Sequence, residues 1–282
     1  MNRINPALFA DAFAAWVRES WPEKASLIAI DGKTSRRSHD RRDGAAPLHL
    51  VSAFATAARL ALAAQAAPDK ASDRAAIPPL LDRLGAEDGL KGALVSIDAV
   101  ATNAEIARAI AAQGADWLLA VKANQPTLRA EVEAAFVEAA EARDGGGLDA
   151  HAGLDKGHGR IEDRRTTVLR DTGWLEGDRR FPGEMPLPGA ACLVCAETRG
   201  ATRTETRYFI SFRALSAADA ADAIHAHWAI ETRLHWVLDV AFADDQSRIR
   251  KGYGARNVSG ATRTYTIDII QISVSGAATP RS

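Results

Sequence analysis

Apolar positions change their period several times along the chain, and each change marks an element. Asn5-Pro6 reads as a helix start, a capping side chain followed by proline at the first helical position. Leu8, Phe9, Phe13, Trp16 and Val17 then recur at helical spacing. Residues 26–30 form a short apolar run with a β-branched end, a buried strand that stops at Asp31. Residues 48–54 and 59–65, joined across Ala-Thr-Ala-Ala, predict an antiparallel hairpin. A helix is expected to begin at Pro78-Pro79 and run to Leu84. Residues 93–97 predict a second buried strand ending at Asp98, and residues 103–113 a helix closed by Gly114. A third buried strand over 116–121 leads into Lys122-Ala-Asn124-Gln125-Pro126 and a long helix over 127–142.

From Arg143 the pattern changes. Gly145, Gly146 and Gly147 make a loop, residues 161–169, 191–197 and 203–212 predict strands, and Pro182, Pro186 and Pro188 interrupt any helical period between the first two. Ser216 with Asp219 three residues on opens the last long helix as a capping box. This order predicts an α/β fold, and acids at the ends of its strands make it an RNase H-like mixed sheet, an antiparallel hairpin plus parallel strands, flanked by helices and carrying a β-rich insertion before the last helix. In such a sheet the strands ending in Asp31 and Asp98 lie side by side, and their carboxyl ends meet where open α/β sheets bind ligands. The expected segments are 1–142 for the first part of the core, 143–215 for the insertion, 216–251 for the last core helix and 252–282 for an atypical, flexible tail.

Composition narrows the class only slightly. The chain has 282 residues, 47% of them hydrophobic and 25% charged, as in ordinary globular proteins. No run reaches the ~18 apolar residues of a membrane span and no apolar leader opens the chain, so no membrane partner is expected and the cytoplasm is the expected location. Two cysteines exclude a disulfide framework, and Cys192 and Cys195 are expected to serve core packing. The net charge of −1 is unremarkable, but the basic residues are clustered. Lys33, Arg36, Arg37, Arg41 and Arg42 follow Asp31, while Arg248, Arg250 and Lys251 follow the last helix.

The candidate chemistry is acidic. Asp31 and Asp98 end apolar strands, and Glu231 lies on a tryptophan-rich helix in HWAIETRLHWVLDV. Three carboxylates of this kind suit two-metal phosphoryl transfer, because magnesium takes few protein carboxylates and fills its shell with water and phosphate. Crowding them without metal is expected to raise at least one pKa and leave the site poorly formed. Around Glu231, helical spacing puts His227, His235 and Asp239 on one stripe, with His235 and Asp239 as supporting groups. Lys33, Lys122, Asn124, Gln125, Arg248, Arg250 and Lys251 are the candidate DNA contacts, lysine as a point charge for phosphate and amides for backbone or bases. Gly32 would let DNA approach closely.

IAIDGKT, LLAVKANQPTL, KGHGRIEDR and HWAIETRLHWVLDV, in this order, resemble the DDE transposases, in particular their H-repeat-associated, insertion-sequence branch. The likeness runs from the first helix to Asn257. It implies that Asp31, Asp98 and Glu231 are catalytic and hold two magnesium ions, for which manganese substitutes. It also implies strand cleavage and transfer at the ends of an insertion sequence, with terminal inverted repeats and target DNA as partners and a homodimer on the DNA. Related transposases often carry a Tyr/Arg/Lys set around the glutamate, where this chain has Ile224, His227 and Leu238. Asp73 and Asn103 stand where the family has glutamate and glutamine. The family's N-terminal end-recognising segment and leucine-rich C-terminal helix have no counterpart pattern, and residues 264–274 alternate like a strand. An inactive remnant and a standalone RNase H-like nuclease are the alternative readings.

Overall fold

Period-two strands buried on both faces need helices over each face, and the structure supplies them in two compact units, Met1–Ala93 with Ala226–Ser282, and Leu94–His225. The computed structural model describes residues 3–21, 24–39, 44, 46–69, 72–98, 102–142, 147–157, 160–176, 185–200 and 202–263. Among these residues the chain is mixed α/β, with nine strands, parallel and antiparallel pairings, and flanking helices. The expected class, with its hairpin, parallel strands and β-rich insertion, is met. No helix of the described residues is long and apolar enough to cross a membrane.

In the first unit, α1 (Pro6–Ser20) starts where expected, with Asn5 Oδ1 accepting from the Ala7 and Leu8 N–H groups. β1 (Leu27–Thr34), β2 (His49–Ala55) and β3 (Leu60–Ala67) form an antiparallel meander in the order β3-β2-β1. Asp31 does not end its strand as expected. β1 continues to Thr34 because β2 is long enough to pair with it, Asp31 opposite Ser52 and Thr34 opposite His49. α2 (Asp73–Gly85) contains Pro78 and Pro79 rather than starting at them. Its residues Ile77, Leu80, Leu81 and Leu84 are all buried, none more than 8% exposed, and this apolar face holds the helix despite two missing N–H donors.

The two faces of the meander carry different helices. Phe54 packs with Ala29, Ala61, Ile230, Leu234 and Leu238, while the next residue, Ala55, packs with Leu60, Phe13 and Val17 of α1. The segment on the first face is not a uniform α-helix. A π-helix spans Ile230–His235, its Trp236 N–H donating to the Glu231 carbonyl five residues back, and α6 (Trp236–Val240) follows.

The second unit orders its strands β4-β5-β9-β8-β7-β6. β4 (Leu94–Ile97) and β5 (Asp116–Val121) are parallel, linked through α3 (Ala104–Ala112), and α4 (Pro126–Glu141) follows β5. β6 (Asp149–Gly157), β7 (Arg160–Leu169), β8 (Cys192–Arg199) and β9 (Thr204–Ser211) are antiparallel, and β6 was not anticipated from its Gly- and Asp-containing sequence. The capping box of α5 (Ala217–His227) is present, Ser216 Oγ donating to Asp219 Oδ2 at 2.6 Å. The compact units divide at Ala93/Leu94 and His225/Ala226.

Residues 252–263 depart from the expected flexible tail. Residues 254–263 are helical (α7), and Asn257, Ser259 and Arg263 are buried. Polar side chains, not an apolar stripe, tie this helix in, which is why hydropathy did not reveal it. Arg263 is 1% exposed and donates from Nε to Ser52 Oγ at 3.0 Å, and from Nη1 to the Ser259 carbonyl and hydroxyl. Asp244, 5% exposed, accepts from Ser259 Oγ and Ser35 Oγ. The strand expected over 264–274 lies outside the described residues. Arg263→Met keeps the stem but leaves buried Asp244 without its counter-charge, and urea unfolding should show a loss of about 3–5 kcal/mol. An unchanged midpoint would show that α7 is peripheral.

Candidate active site

The alternation of β1 sorts its side chains between two environments. Ala29, Asp31 and Lys33 share one face, and Ile28, Ile30, Gly32 and Thr34 the other. On the first face Ala29 meets the apolar side chains of Ile230, Leu234 and Leu238. Two residues on, Asp31 meets His235, whose Nδ1 is 3.6 Å from Asp31 Oδ2 and 3.3 Å from Glu231 Oε2. Two further on, Lys33 Nζ meets Asp239 Oδ1 at 2.6 Å and Asp245 Oδ1 at 3.7 Å. Burying three such aliphatic side chains stabilises by roughly 1.5–3 kcal/mol each, which presses the π-helix onto β1 and sets the polar pairs beside it in register.

Asp31, Glu231 and His235 thus form a group whose ligand atoms all lie within 4.8 Å of one another, a set able to hold a metal ion. Glu231 is half exposed, Asp31 is 22% exposed, and His235 is buried. The expected rise in a crowded carboxylate's pKa is not what Glu231 shows. Hydrogen bonding from His235 outweighs partial burial and, aided by His235's charge, a bond with Asp31 and the Lys33 ammonium, holds its pKa down at about 2. Burial pushes the His235 imidazole down, Glu231 opposing this and Arg263 and Lys33 adding to it. The contact between Nδ1 and the Glu231 carboxylate acts on both groups, lowering the carboxylate and opposing the effect of burial on the ring.

The other face of β1 explains Gly32. A Cβ there would stand 2.6 Å from both Asp73 Oδ2 and His49 Nε2, so the residue has no side chain because buried neighbours occupy the space. His49 Nε2 pairs with Asp73 Oδ1, and its Nδ1 lies 2.6 Å from Thr34 Oγ1. The expectation that Gly32 makes room for DNA gives way to this contact. Neither His49 nor Asp73 was singled out as a site residue, and only the Thr34–His49 register could have brought them together.

The remaining candidates divide by partner. Lys33 is 9% exposed and engaged by two aspartates, so it serves the carboxylate network rather than presenting a free charge. Asp239 belongs to that network. In the second unit, Lys122 Nζ pairs with Asp98 at 2.6 Å and 2.7 Å to its two oxygens. Gln125, not Asn124, occupies the cap position of α4, and its Nε2 donates to the Thr102 carbonyl while Asn124 is exposed. Arg248, Arg250 and Lys251 are exposed, and Arg250 Nε donates to the Arg37 carbonyl. Arg41 and Arg42 lie outside the described residues. His227 is buried edge-on against Trp228, and the two cysteines are free, Cys192 buried and Cys195 half-buried.

Residues 22–258 match the family described as the Transposase DDE domain, a span that includes Asp31, Asp98 and Glu231. The chain belongs to this family. It is 33% identical over 272 residues to the "H repeat-associated putative transposase YhhI" of Escherichia coli (strain K12), covering 95% of this chain and 70% of that protein. It is 34% identical, with the same coverage, to the protein YbfL of that strain. A solved structure, a piggyBac transposase synaptic complex with hairpin DNA, is similar at 10% identity and a TM-score of 0.43, over 99% of this chain and 56% of that one.

Because Glu231's folded pKa lies below its ordinary value of 4.5, its interaction with His235 favours the folded state above the ordinary carboxylate range. That contribution is lost as pH falls through about 2. In metal-free protein, a 13C NMR titration of the Glu231 carboxyl should therefore have a midpoint well below 4.5, returning towards it in His235→Asn. An ordinary midpoint in the unsubstituted chain would mean the imidazole does not hold the carboxylate.

Proposed function

We propose that the chain is the catalytic part of a DDE transposase that cleaves DNA at the ends of an insertion sequence and joins the cut ends to target DNA. The observation that carries this reading is the meeting of Asp31 and Glu231, from a strand and a helix 200 residues apart, in a chain that belongs to this family. Asp98 is the third acid on this reading. The donor set fits divalent ions, since two carboxylates of opposite charge to the metal converge with a neutral imidazole. Asp31, Asp98 and Glu231 would hold them, with magnesium or manganese able to serve. Bound there, the ions supply Lewis-acid activation of the attacking oxygen and charge relief at the leaving oxygen.

The chain's own residues do the positioning. His235 donates to Glu231 and steers its carboxylate towards Asp31. Lys33 holds Asp239 and Asp245 away from that pair, so these acids do not compete for the ion. On this reading Arg248, Arg250 and Lys251, all exposed, bind phosphates of terminal-repeat or target DNA, and exposed Asn124 is a further backbone contact. A homodimer on two DNA ends is the working assembly of this reading.

Alanine at Asp31, Asp98 or Glu231 should each abolish metal-dependent strand cleavage while leaving the circular dichroism spectrum unchanged. A wild-type chain that cuts no DNA with any divalent ion would instead favour an inactive remnant, and cutting without joining a standalone nuclease.

Duplex binding should rest on few phosphate contacts, with log K falling against log salt at a slope of about −0.9 per phosphate neutralised. Charge removal at Arg248, Arg250 and Lys251 together should flatten that slope by about three contacts or fewer. Titrations at several salt concentrations measure it, and an unchanged slope would remove these residues from the interface.

A further inference from the structure

Resting on the reading above, the geometry points to His235 as a direct metal ligand through Nδ1, giving the first unit a carboxylate–carboxylate–imidazole site that prefers a transition-metal ion to magnesium. Three observations lead there. Donor atoms about 2.1 Å from one ion are separated by about 3.0 Å along an octahedral edge and about 3.4 Å along a tetrahedral one. His235 Nδ1 already stands 3.3 Å from Glu231 Oε2 and 3.6 Å from Asp31 Oδ2, so an ion needs shifts of only a few tenths of an ångström on these edges. The side chain is 7% exposed, and its Nε2 has no hydrogen-bond partner among the described residues, so the imidazole's polarity is spent on the carboxylate pair through Nδ1 alone.

Charge balance agrees. Lys33 is neutralised by Asp239 and Asp245, and Arg263 lies with buried Asp244 and two serines. The two carboxylates of the cluster therefore keep their double negative charge for a dication. When the ion binds, the ring proton moves from Nδ1 to Nε2 by tautomer exchange through solvent, and the Nδ1 lone pair faces the metal. Imidazole nitrogen is a good ligand for first-row transition ions and a poor one for magnesium, which prefers oxygen and retains its waters.

Calorimetric titration of the full chain with Mn2+ and, separately, with Mg2+ tests the preference, and pulsed EPR of the Mn2+-loaded protein tests the bond. The expected results are tighter binding of Mn2+, 14N coupling from one imidazole, and loss of that coupling in His235→Gln with a fall in Mn2+ affinity of roughly tenfold or more. His151→Gln, altering an exposed histidine of β6, should change neither. A wild-type spectrum without 14N coupling overturns the assignment even where Mg2+ supports strand cleavage, and so do equal affinities for the two ions. Coupling in a chain that cleaves no DNA upholds the ligand assignment and removes only the proposed reaction. The wild-type spectrum decides the question even if His235→Gln fails to fold.

Discussion

The docking of Ile230, Leu234 and Leu238 onto Ala29, Phe54 and Ala61 is the contact on which the site depends. It is apolar and non-directional, yet it fixes direction. A strand advances two residues per repeat on one face and the helix advances by turns, so once the apolar rows meet, the neighbouring rows meet as well. Asp31 then stands under His235 and Glu231, and Lys33 under Asp239. No polar interaction at the site has to supply the energy of bringing the segments together. The hydrophobic row does that, and the polar groups only choose partners at short range.

Electrostatics then decides the character of each polar row. Two carboxylates at close quarters repel, and the usual consequence is a raised pKa in one of them. Here an imidazole between them and a buried ammonium nearby reverse the sign at Glu231. The arrangement is a set of nested pairs, with Lys33 held by two aspartates, Asp244 by two serines, and Arg263 by Ser52 and Ser259. Ser52 sits opposite Asp31 in the strand register, so α7 reaches the floor of the site through a single side chain. A segment poor in apolar residues is thereby made part of the unit that carries the carboxylates.

Family membership and geometry contribute different things to the functional reading. The matching span of residues 22–258 makes the chain a DDE-domain transposase by descent. The structure adds which groups surround Asp31 and Glu231, and it sets two lysines expected to contact phosphate beside aspartates. Lys33 and Lys122 each lie against an aspartate at 2.6 Å. The exposed cations after α6 are phosphate-binding candidates of the proposed interface, and so is half-exposed Lys122.

Local pattern was sufficient for most elements. Asn5 before Pro6 announced α1, the alternating runs announced the hairpin, and Ser216 with Asp219 announced α5, because each depends on residues within a few positions of one another. The candidate acids could be named for the same reason, as each stands in a short segment of its own. Pattern failed where the deciding partner is remote. The extension of β1 past Asp31 depends on β2, the burial of Lys33 on an aspartate 206 residues away, and the burial of Arg263 on a serine 211 residues away. Asp73 and His49 became meaningful only once Gly32 was seen to lie beneath them. Sequence alone determined which segments turn into strands and helices and which carboxylates they carry. Tertiary structure alone decided which charges those carboxylates face, because burial and ion pairing depend on contacts that no local period encodes.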